Sequence, residues 1–386
     1  MAADLTYLDL GCTFRANPPH ETLQKLQALK EQIGVTRIAD ITGLDNIDIP
    51  VITVTRPMAK HLAISQGKGL TKELATISAL MEAAESFHME NPPPASLIGS
   101  FDQLNSQHSL LDPEVCHASF LDKSKQLKKM DMHWAQAINL LDGQTIHIPH
   151  ALTSLDSTIP RPDFSYFSVS TNGLAGGNTK SEALCHALYE VIERDALYQW
   201  GKKSAELRQH DLLIHSSIET PGIQALLNHL HERNFEIMIW DITSTLGIPA
   251  FNCVILDKSL MRNLSFFSGS GAHLSQEIAL FRAILEAVQS RTSLISGSRD
   301  DIYKSYYLKQ NIGLNNLQNL SRKKKLIECT RPEFTHSFEN NVHQILEKLS
   351  LHGYDQVLCV EHTKEELNLP IVQVLIPGMS FGGSRM

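Results

Sequence analysis

The stretch Thr179–Arg194, TKSEALCHALYEVIER, decides how this chain reads, because its pattern occurs three times. The other copies are Thr71–Ser86, TKELATISALMEAAES, and Ser275–Ser290, SQEIALFRAILEAVQS. In each, a hydroxyl residue stands eleven positions before a glutamate: Thr71 to Glu82, Thr179 to Glu190, Ser275 to Glu286. Ser78, His186 and Arg282 come four positions before that glutamate, and Glu85, Glu193 and Gln289 three after it. These offsets share one face of an α-helix. Three helices therefore each carry a polar stripe among Ala, Leu, Ile and Val. A plain core helix has no use for such a stripe, whereas a shared site that holds cations does.

At 386 residues the length allows two or three domains or one large enzyme fold. With 42% hydrophobic and 20% charged residues, the chain has the composition of an ordinary globular protein with ample core. A net charge of −8 argues against a nucleic-acid binder. The one basic run, Arg322–Lys325, reads as a solvated helix end. Six scattered cysteines contain no CxxC pair, which argues against structural zinc and fits a reducing, cytoplasmic compartment. Cys185 and Cys253 read as small buried apolar residues. The opening MAADLTYLDLG has no basic segment and no long apolar core, so no signal peptide is expected. No apolar span approaches membrane-crossing length.

Outward from the three helices, residues 20–33 read as an amphipathic helix with Leu23, Leu26 and Leu29 on one side and Gly34 as its stop. Residues 35–65 are β-like, rich in β-branched residues and punctuated by turns. Pro92-Pro93-Pro94 closes the first repeat helix. Residues 90–165 carry few motifs, apart from a short strand at TIHIPHA, and read as an elaboration of the fold. Beyond them come a helix near 219–233, strands at FEIMIWDIT and IPAFNCVILD, and a short helix starting near Arg299. A helix at 340–352 precedes two final strands, DQVLCVEHT and PIVQVLIPG. Helices and strands mix irregularly, which predicts an α+β fold rather than a doubly wound sheet. We read residues 1–386 as a single catalytic unit.

Each repeat helix follows glycines: Gly67-Lys68-Gly69, Gly176-Gly177-Asn178 and Gly269-Ser270-Gly271. Read locally, these are loops offering free N–H groups and a positive dipole end to an anion, although none matches a Walker A or GxGxxG pattern. Glu82, Glu85, Glu190, Glu193 and Glu286 face apolar surroundings and so must pair or bind metal. Magnesium accepts such oxygens and bridges them to phosphates, and Arg194 and Arg282 could fork onto the same phosphates. A structural Glu–Arg network is the bland alternative, and the threefold repetition of the spacing weighs against it. Glu182 has a local reading of its own, as the third residue of a Thr179–Glu182 capping box. The histidines form no HExxH, and there is no GxSxG elbow.

Three segments in order resemble the YcaO family: QGKGLTKELATISALMEAAESFH (66–88), STNGLAGGNTKSEALCHALYEVIERDA (170–196) and GSGAHLSQEIALFRAILEAVQSRTSLISGSRDD (269–301). The early GCTFRANPPHETL and RIADITGLDNIDIPVITVTRP are similar as well. The resemblance implies ATP and Mg²⁺ as cofactors, and phosphorylation of a peptide amide oxygen after a nucleophile has added to the carbonyl. It implies Mg²⁺ carboxylates at Glu82, Glu190, Glu193 and Glu286. It also implies nucleotide contacts or their supports at Glu85, Asn178, Glu182, Arg194 and Arg282. Arg15 and Thr22 fall at phosphate-contacting positions, and Ser78, Gln289 and Arg291 belong to the motifs. Glu193, Arg194 and Arg282 form the expected catalytic set.

The product is a thioamide with an external sulfur donor, or an azoline with a neighbouring Cys, Ser or Thr side chain. The chain ends MSFGGSRM, without the PxPxP tail of many azoline-forming members, and leaves no room for a fused leader-binding domain. Its opening and its TGLD…IPV segment resemble members that work beside a TfuA-type partner, which favours thioamide formation. The partners implied are a peptide or protein substrate, a TfuA-like sulfur-delivery or leader-peptide-binding protein, and a second copy in a homodimer. Neither nucleic acid nor membrane is expected as a partner. The competing reading is a non-catalytic scaffold for a peptide-modifying complex.

Overall fold

A computed structural model of the chain describes residues 8–116, 127–158, 166–167, 169–258, 266–302, 324–326, 335 and 337–379. Its helices are α1 (Pro19–Leu29), α2 (Lys72–Glu90), α3 (Phe101–Leu104), α4 (Lys180–Gly201), α5 (Ala205–His210), α6 (Pro221–Glu232), α7 (Gln276–Ser296) and α8 (Phe338–Leu351). Pro19 starts α1 where a missing N–H costs nothing. The expected extension to 33 is instead a turn that ends at Gly34, with φ of 80°.

Among the described residues the strands form four antiparallel sheets. A two-stranded hairpin joins β1 (Leu8–Asp9) to β2 (Phe14–Arg15). The β-like segment is a three-stranded sheet in the order β3 (Arg37–Asp40), β4 (Val51–Thr55), β5 (Ile64–Lys68). Next come β6 (Leu97–Gly99), β7 (Met132–Asn139), β8 (Thr145–Pro149) and β9 (Leu174–Gly176). A second three-stranded sheet holds β10 (Phe235–Asp241), β11 (Ala250–Asp257) and β12 (Phe266–Ala272). Strands β13 (Leu358–Glu361) and β14 (Ile371–Leu375) complete a six-stranded sheet in the order β6-β7-β13-β14-β9, with β8 on β7. From the stretch read as an elaboration, Leu97–Gly99, Met132–Asn139 and Thr145–Pro149 are therefore strands of the six-stranded sheet. Helix and sheet content agree with the expected α+β class.

Two local expectations change. Arg299 lies in irregular chain just before a turn, and the residues from 303 onward, where a helix was expected, lie outside the described ones until 324. Of the basic run, Arg322 and Lys323 also lie outside them. Lys324 pairs with Leu213 in a β-bridge, and its Nζ lies 2.6 Å from Asp241 Oδ2. It is an ion-paired strand residue, not a solvated helix end.

The three repeat helices share one construction. Thr71, Thr179 and Ser275 are the N-caps, each accepting the backbone N–H three residues on. Each helix packs on the strand just before it: α2 on β5, α4 on β9 and α7 on β12. The glycines make this contact possible. A Cβ on Gly67 would stand 2.1 Å from Ala79 N, and one on Gly269 would stand 2.2 Å from Ala287 N. These glycines, like Gly271, lie within strands, where they let backbone meet backbone. Gly67, Gly269 and Gly271 are thus packing residues and not phosphate-binding loops, which corrects the local reading.

Each helix also touches the strand of another unit: α2 meets β9, α4 meets β12 and α7 meets β5. The three β–α units close into a ring, with the polar stripes turned toward one another.

Candidate active site

The ring is latched by equivalent residues, those three positions after the repeat glutamate. Glu85 Oε1 on α2 accepts the N–H of Gly176 on β9 at 2.7 Å. Glu193 Oε1 on α4 accepts the hydroxyl of Ser270 on β12 at 2.8 Å. Gln289 Nε2 on α7 donates to Gln66 O on β5 at 3.1 Å. Ser293, one turn beyond Gln289, also donates to the Gln66 side chain. Each helix therefore reaches the next unit's strand. The amide nitrogen of Gln289 thus holds α7 to β5.

Inside the latches the carboxylates converge. Glu82 feels Glu286, Glu85 feels Glu82 and Glu190, Glu190 feels Glu193 and Glu286, and Glu193 feels Glu286. Burial dominates and mutual repulsion adds to it. Together they push Glu85 up to about 8 and Glu190 up to about 7, and they raise Glu82 and Glu193 as well. A backbone N–H from Gln66 opposes the rise at Glu82, and at the equivalent place Ser270 N donates to Glu286 Oε2 at 3.4 Å. Arg194 Nη2 stands 3.7 Å from Glu190 Oε1. Burial lowers its pKa, but Glu286, Glu190 and Glu193 outweigh that and raise it.

Five clustered carboxylates share the site with Arg194 and Arg282, while Lys68 and Arg299 also act on Glu82 and Arg15 on Glu85. All the donors are hard oxygens, which suits Mg²⁺. Among the described residues no group of three or more His, Cys, Asp or Glu side chains is placed to hold a metal ion as it stands. The donor set at Glu82, Glu190, Glu193 and Glu286 fits the ion in chemistry without being closed around it.

A second cluster lies at the start of α4. Glu182 is buried, and its Oε2 accepts Asn178 N and Asn178 Nδ2, both at 3.1 Å, and Ala16 N at 3.3 Å. Arg15 Nε lies 3.6 Å from its Oε1. Only half of the expected capping box forms: Thr179 Oγ1 accepts Glu182 N, while the Glu182 carboxylate goes to Asn178 and the β2 region instead. Thr22 Oγ1 on α1 donates to Asn178 Oδ1 at 2.9 Å. Arg15 and Arg282 both reach His186, and Arg15 is close enough to feel the charge of Arg282. Ser78 sits half-buried one turn before Glu82.

The sequence-predicted residues thus meet in two adjoining groups. A carboxylate group holds Glu82, Glu85, Glu190, Glu193 and Glu286 with Arg194. A cationic group holds Arg15 and Arg282, with Glu182, Asn178 and Thr22 at its edge. Arg291 belongs to neither. It is 1% exposed and binds Asp45 (2.7 and 3.2 Å) and Asp257 (2.9 Å) between the rings of Phe235 and Phe267. It anchors α7 to the residues following Thr42–Leu44. Sequence reasoning missed Ser270 and Gln66 as partners of the cluster. Both stand sixteen positions before the repeat glutamate, and that offset was the available signal.

A family model described as "YcaO cyclodehydratase, ATP- and Mg²⁺-binding" matches residues 66–380. An uncharacterised protein of Methanothermobacter thermautotrophicus is 33% identical over 370 residues, covering 94% of each chain. An "uncharacterized protein in tfuA 3′region" of Rhizobium leguminosarum bv. trifolii is 28% identical over 375 residues, 95% of this chain and 88% of that one. Among solved structures, a heterocyclase in complex with substrate and cofactor superimposes with a TM-score of 0.79 at 23% identity. The match covers 98% of this chain but 55% of the heterocyclase, so the present chain spans about half of that protein's length. YcaO from Methanopyrus kandleri, bound with AMPPCP and Mg²⁺, gives a TM-score of 0.74 at 22% identity over 97% of this chain and 95% of that one. At these identities the structures speak for the fold. The family match over most of the chain and the 33% relative decide the rest: this chain belongs to the YcaO family, whose members bind ATP and Mg²⁺ and act as ATP-dependent peptide-modifying enzymes.

Proposed function

We propose that this chain activates a peptide backbone amide at the expense of ATP and that its product is a thioamide. The observation that carries the proposal is the meeting of a buried cluster of carboxylates with the guanidiniums of Arg194, Arg282 and Arg15 across three latched helices. Glu82, Glu190, Glu193 and Glu286 would hold Mg²⁺, which, when bound, neutralises phosphate charge. Arg194 and Arg282 stabilise charge that gathers on the transferred phosphoryl group. Arg15, Asn178 and Thr22, gathered by Glu182, line the approach for the rest of the nucleotide. A sulfur nucleophile adds to the amide carbonyl, and the oxygen takes the terminal phosphoryl group of ATP. It leaves as phosphate, with ADP and the thioamide as the other products. Converting a poor leaving oxygen into phosphate is what the positioning achieves.

Sulfur as the nucleophile is favoured by the relative encoded in a tfuA 3′ region, which supports a TfuA-type delivery partner. An azoline is the second reading, favoured by the family description as a cyclodehydratase. Calorimetric titration with ATP, with and without Mg²⁺, tests the nucleotide site. Mg²⁺-dependent binding that is lost in Glu193→Ala supports it, and a folded Glu193→Ala variant with full Mg²⁺-dependent binding refutes the assignment. Mass spectrometry of a peptide treated with the chain, Mg-ATP, sulfide and a TfuA-type protein then separates the products. A thioamide has exchanged oxygen for sulfur, and an azoline has lost water.

A further inference from the structure

His186 takes the place in α4 that Arg282 takes in α7, and the two side chains meet. Arg282 Nη1 stands 3.3 Å from His186 Nδ1. On the other edge of the ring, Arg15 Nη1 stands 2.9 Å from Nε2 and also donates to Phe14 O at 2.8 Å. A guanidinium can only donate, whereas a neutral imidazole accepts at one nitrogen and donates at the other. The shorter contact makes Nε2 the acceptor, which leaves the proton on Nδ1. That N–H then points at another donor, Arg282 Nη1.

Adding a second proton to the ring would not help. Burial, Arg15 and Arg282 all disfavour the imidazolium and hold the pKa far below its ordinary value. Nor can Glu182 relieve the pair. Its Oε1 lies 3.9 Å from Nε2, the opposite nitrogen, and its Oε2 already serves Asn178 and Ala16. Two donors this close call for an anionic oxygen that both can reach.

We propose that His186 Nδ1–H and Arg282 Nη1 together grip one phosphate oxygen of the bound nucleotide while His186 Nε2 fixes Arg15. This rests on the nucleotide-site reading given above. His186 is then a substrate-binding residue and not a helix-packing one. Its neutral form matters, because only that form can hold Arg15 by its lone pair and the phosphate by its proton.

The experiment compares Mg-ATP binding by calorimetry in the wild type and in His186→Ala, His186→Asn and His186→Gln, with urea-unfolding midpoints for each. Asn places an amide N–H near the Nδ1 position, and Gln places its amide near Nε2. His186→Ala is expected to bind Mg-ATP roughly 10- to 100-fold more weakly, the loss of one hydrogen bond to a charged group. His186→Asn should recover most of that loss and His186→Gln little of it, with unfolding midpoints that do not follow the order of affinities. Binding by His186→Ala within about twofold of wild type would overturn the proposal. So would equal affinities in the Asn and Gln variants, and that comparison decides the matter if the Ala variant does not fold. A wild-type chain that bound no Mg-ATP would sink the nucleotide reading itself. Wild-type binding that His186→Ala retains would sink only the role of His186.

Discussion

Without bound ions, the stability of this protein should fall between pH 7 and pH 8, because Glu85 and Glu190 must give up protons that the folded chain retains. A carboxyl whose folded pKa is raised binds more protons folded than unfolded. Its contribution is favourable below the unfolded value and is lost as pH climbs through the folded one. Burial, helped by neighbouring carboxylates, sets those folded values at about 8 for Glu85 and about 7 for Glu190. At pH 7 they retain about nine-tenths and one-half of a proton, and at pH 8 about one-half and one-tenth. Unfolded, both are ionised throughout. The folded chain thus holds about one extra proton on average across the interval.

Buried His88, His186, His273 and His362 oppose this, since burial keeps them neutral when folded. Each binds about 0.1 proton more when unfolded over the same range. The carboxyls outweigh the histidines, so stability is expected to fall by roughly 1 kcal/mol from pH 7 to pH 8. Urea unfolding followed by circular dichroism in chelator, at the two pH values, measures it. The double variant Glu85→Gln/Glu190→Gln should no longer show the fall. Added Mg²⁺ and ATP should stabilise the wild type more at pH 8 than at pH 7, because metal binding displaces the same protons. Metal-free stability that is flat or rises from pH 7 to pH 8, or a fall that persists in the double variant, would refute the charge assignment.

Further outcomes follow from individual contacts. Arg291→Met leaves the carboxylates of Asp45 and Asp257 buried without their partner and should cost about 3–5 kcal/mol in urea unfolding. Gly269→Ala drives a methyl into the backbone of Ala287 and Ala283; loss of at least about 1–3 kcal/mol is expected, together with weaker Mg-ATP binding as α7 shifts. Thr179→Ala removes the N-cap of α4 and should cost about 1 kcal/mol of unfolding free energy. Ser270→Ala removes the hydroxyl that tethers Glu193, so Mg-ATP affinity should fall by roughly 10-fold while the far-ultraviolet circular dichroism is unchanged.

The three repeat helices were legible because their signal is local. A hydroxyl cap, a 3.6-residue period and a polar stripe can all be read within sixteen residues. The glycines were not. A glycine pair before a helix looks the same whether it will cradle an anion or lie flat on the helix that follows. Only the pairing of Ile52 with Gly67 and of Cys253 with Gly269 places these glycines in strands against α2 and α7. Residues 90–165 were opaque for a similar reason. Met132–Asn139 finds its partner in Leu358–Glu361, more than two hundred residues away. Glu182 shows both cases at once. Its backbone obeys the local cap, while its carboxylate answers to Ala16 and Arg15 from the other end of the chain.

The sequence by itself determined the secondary structure around the site, the identity of the carboxylates and arginines, and the family, because spacing along a helix is a property of consecutive residues. Tertiary structure alone decided what those side chains face. The latches from Glu85 to Gly176, Glu193 to Ser270 and Gln289 to Gln66 each join different units, and so does the contact of His186 with Arg15 and Arg282. Electrostatic energy depends on distance through space and on burial. The charge balance of the site was therefore fixed only when three separate β–α units closed into one ring.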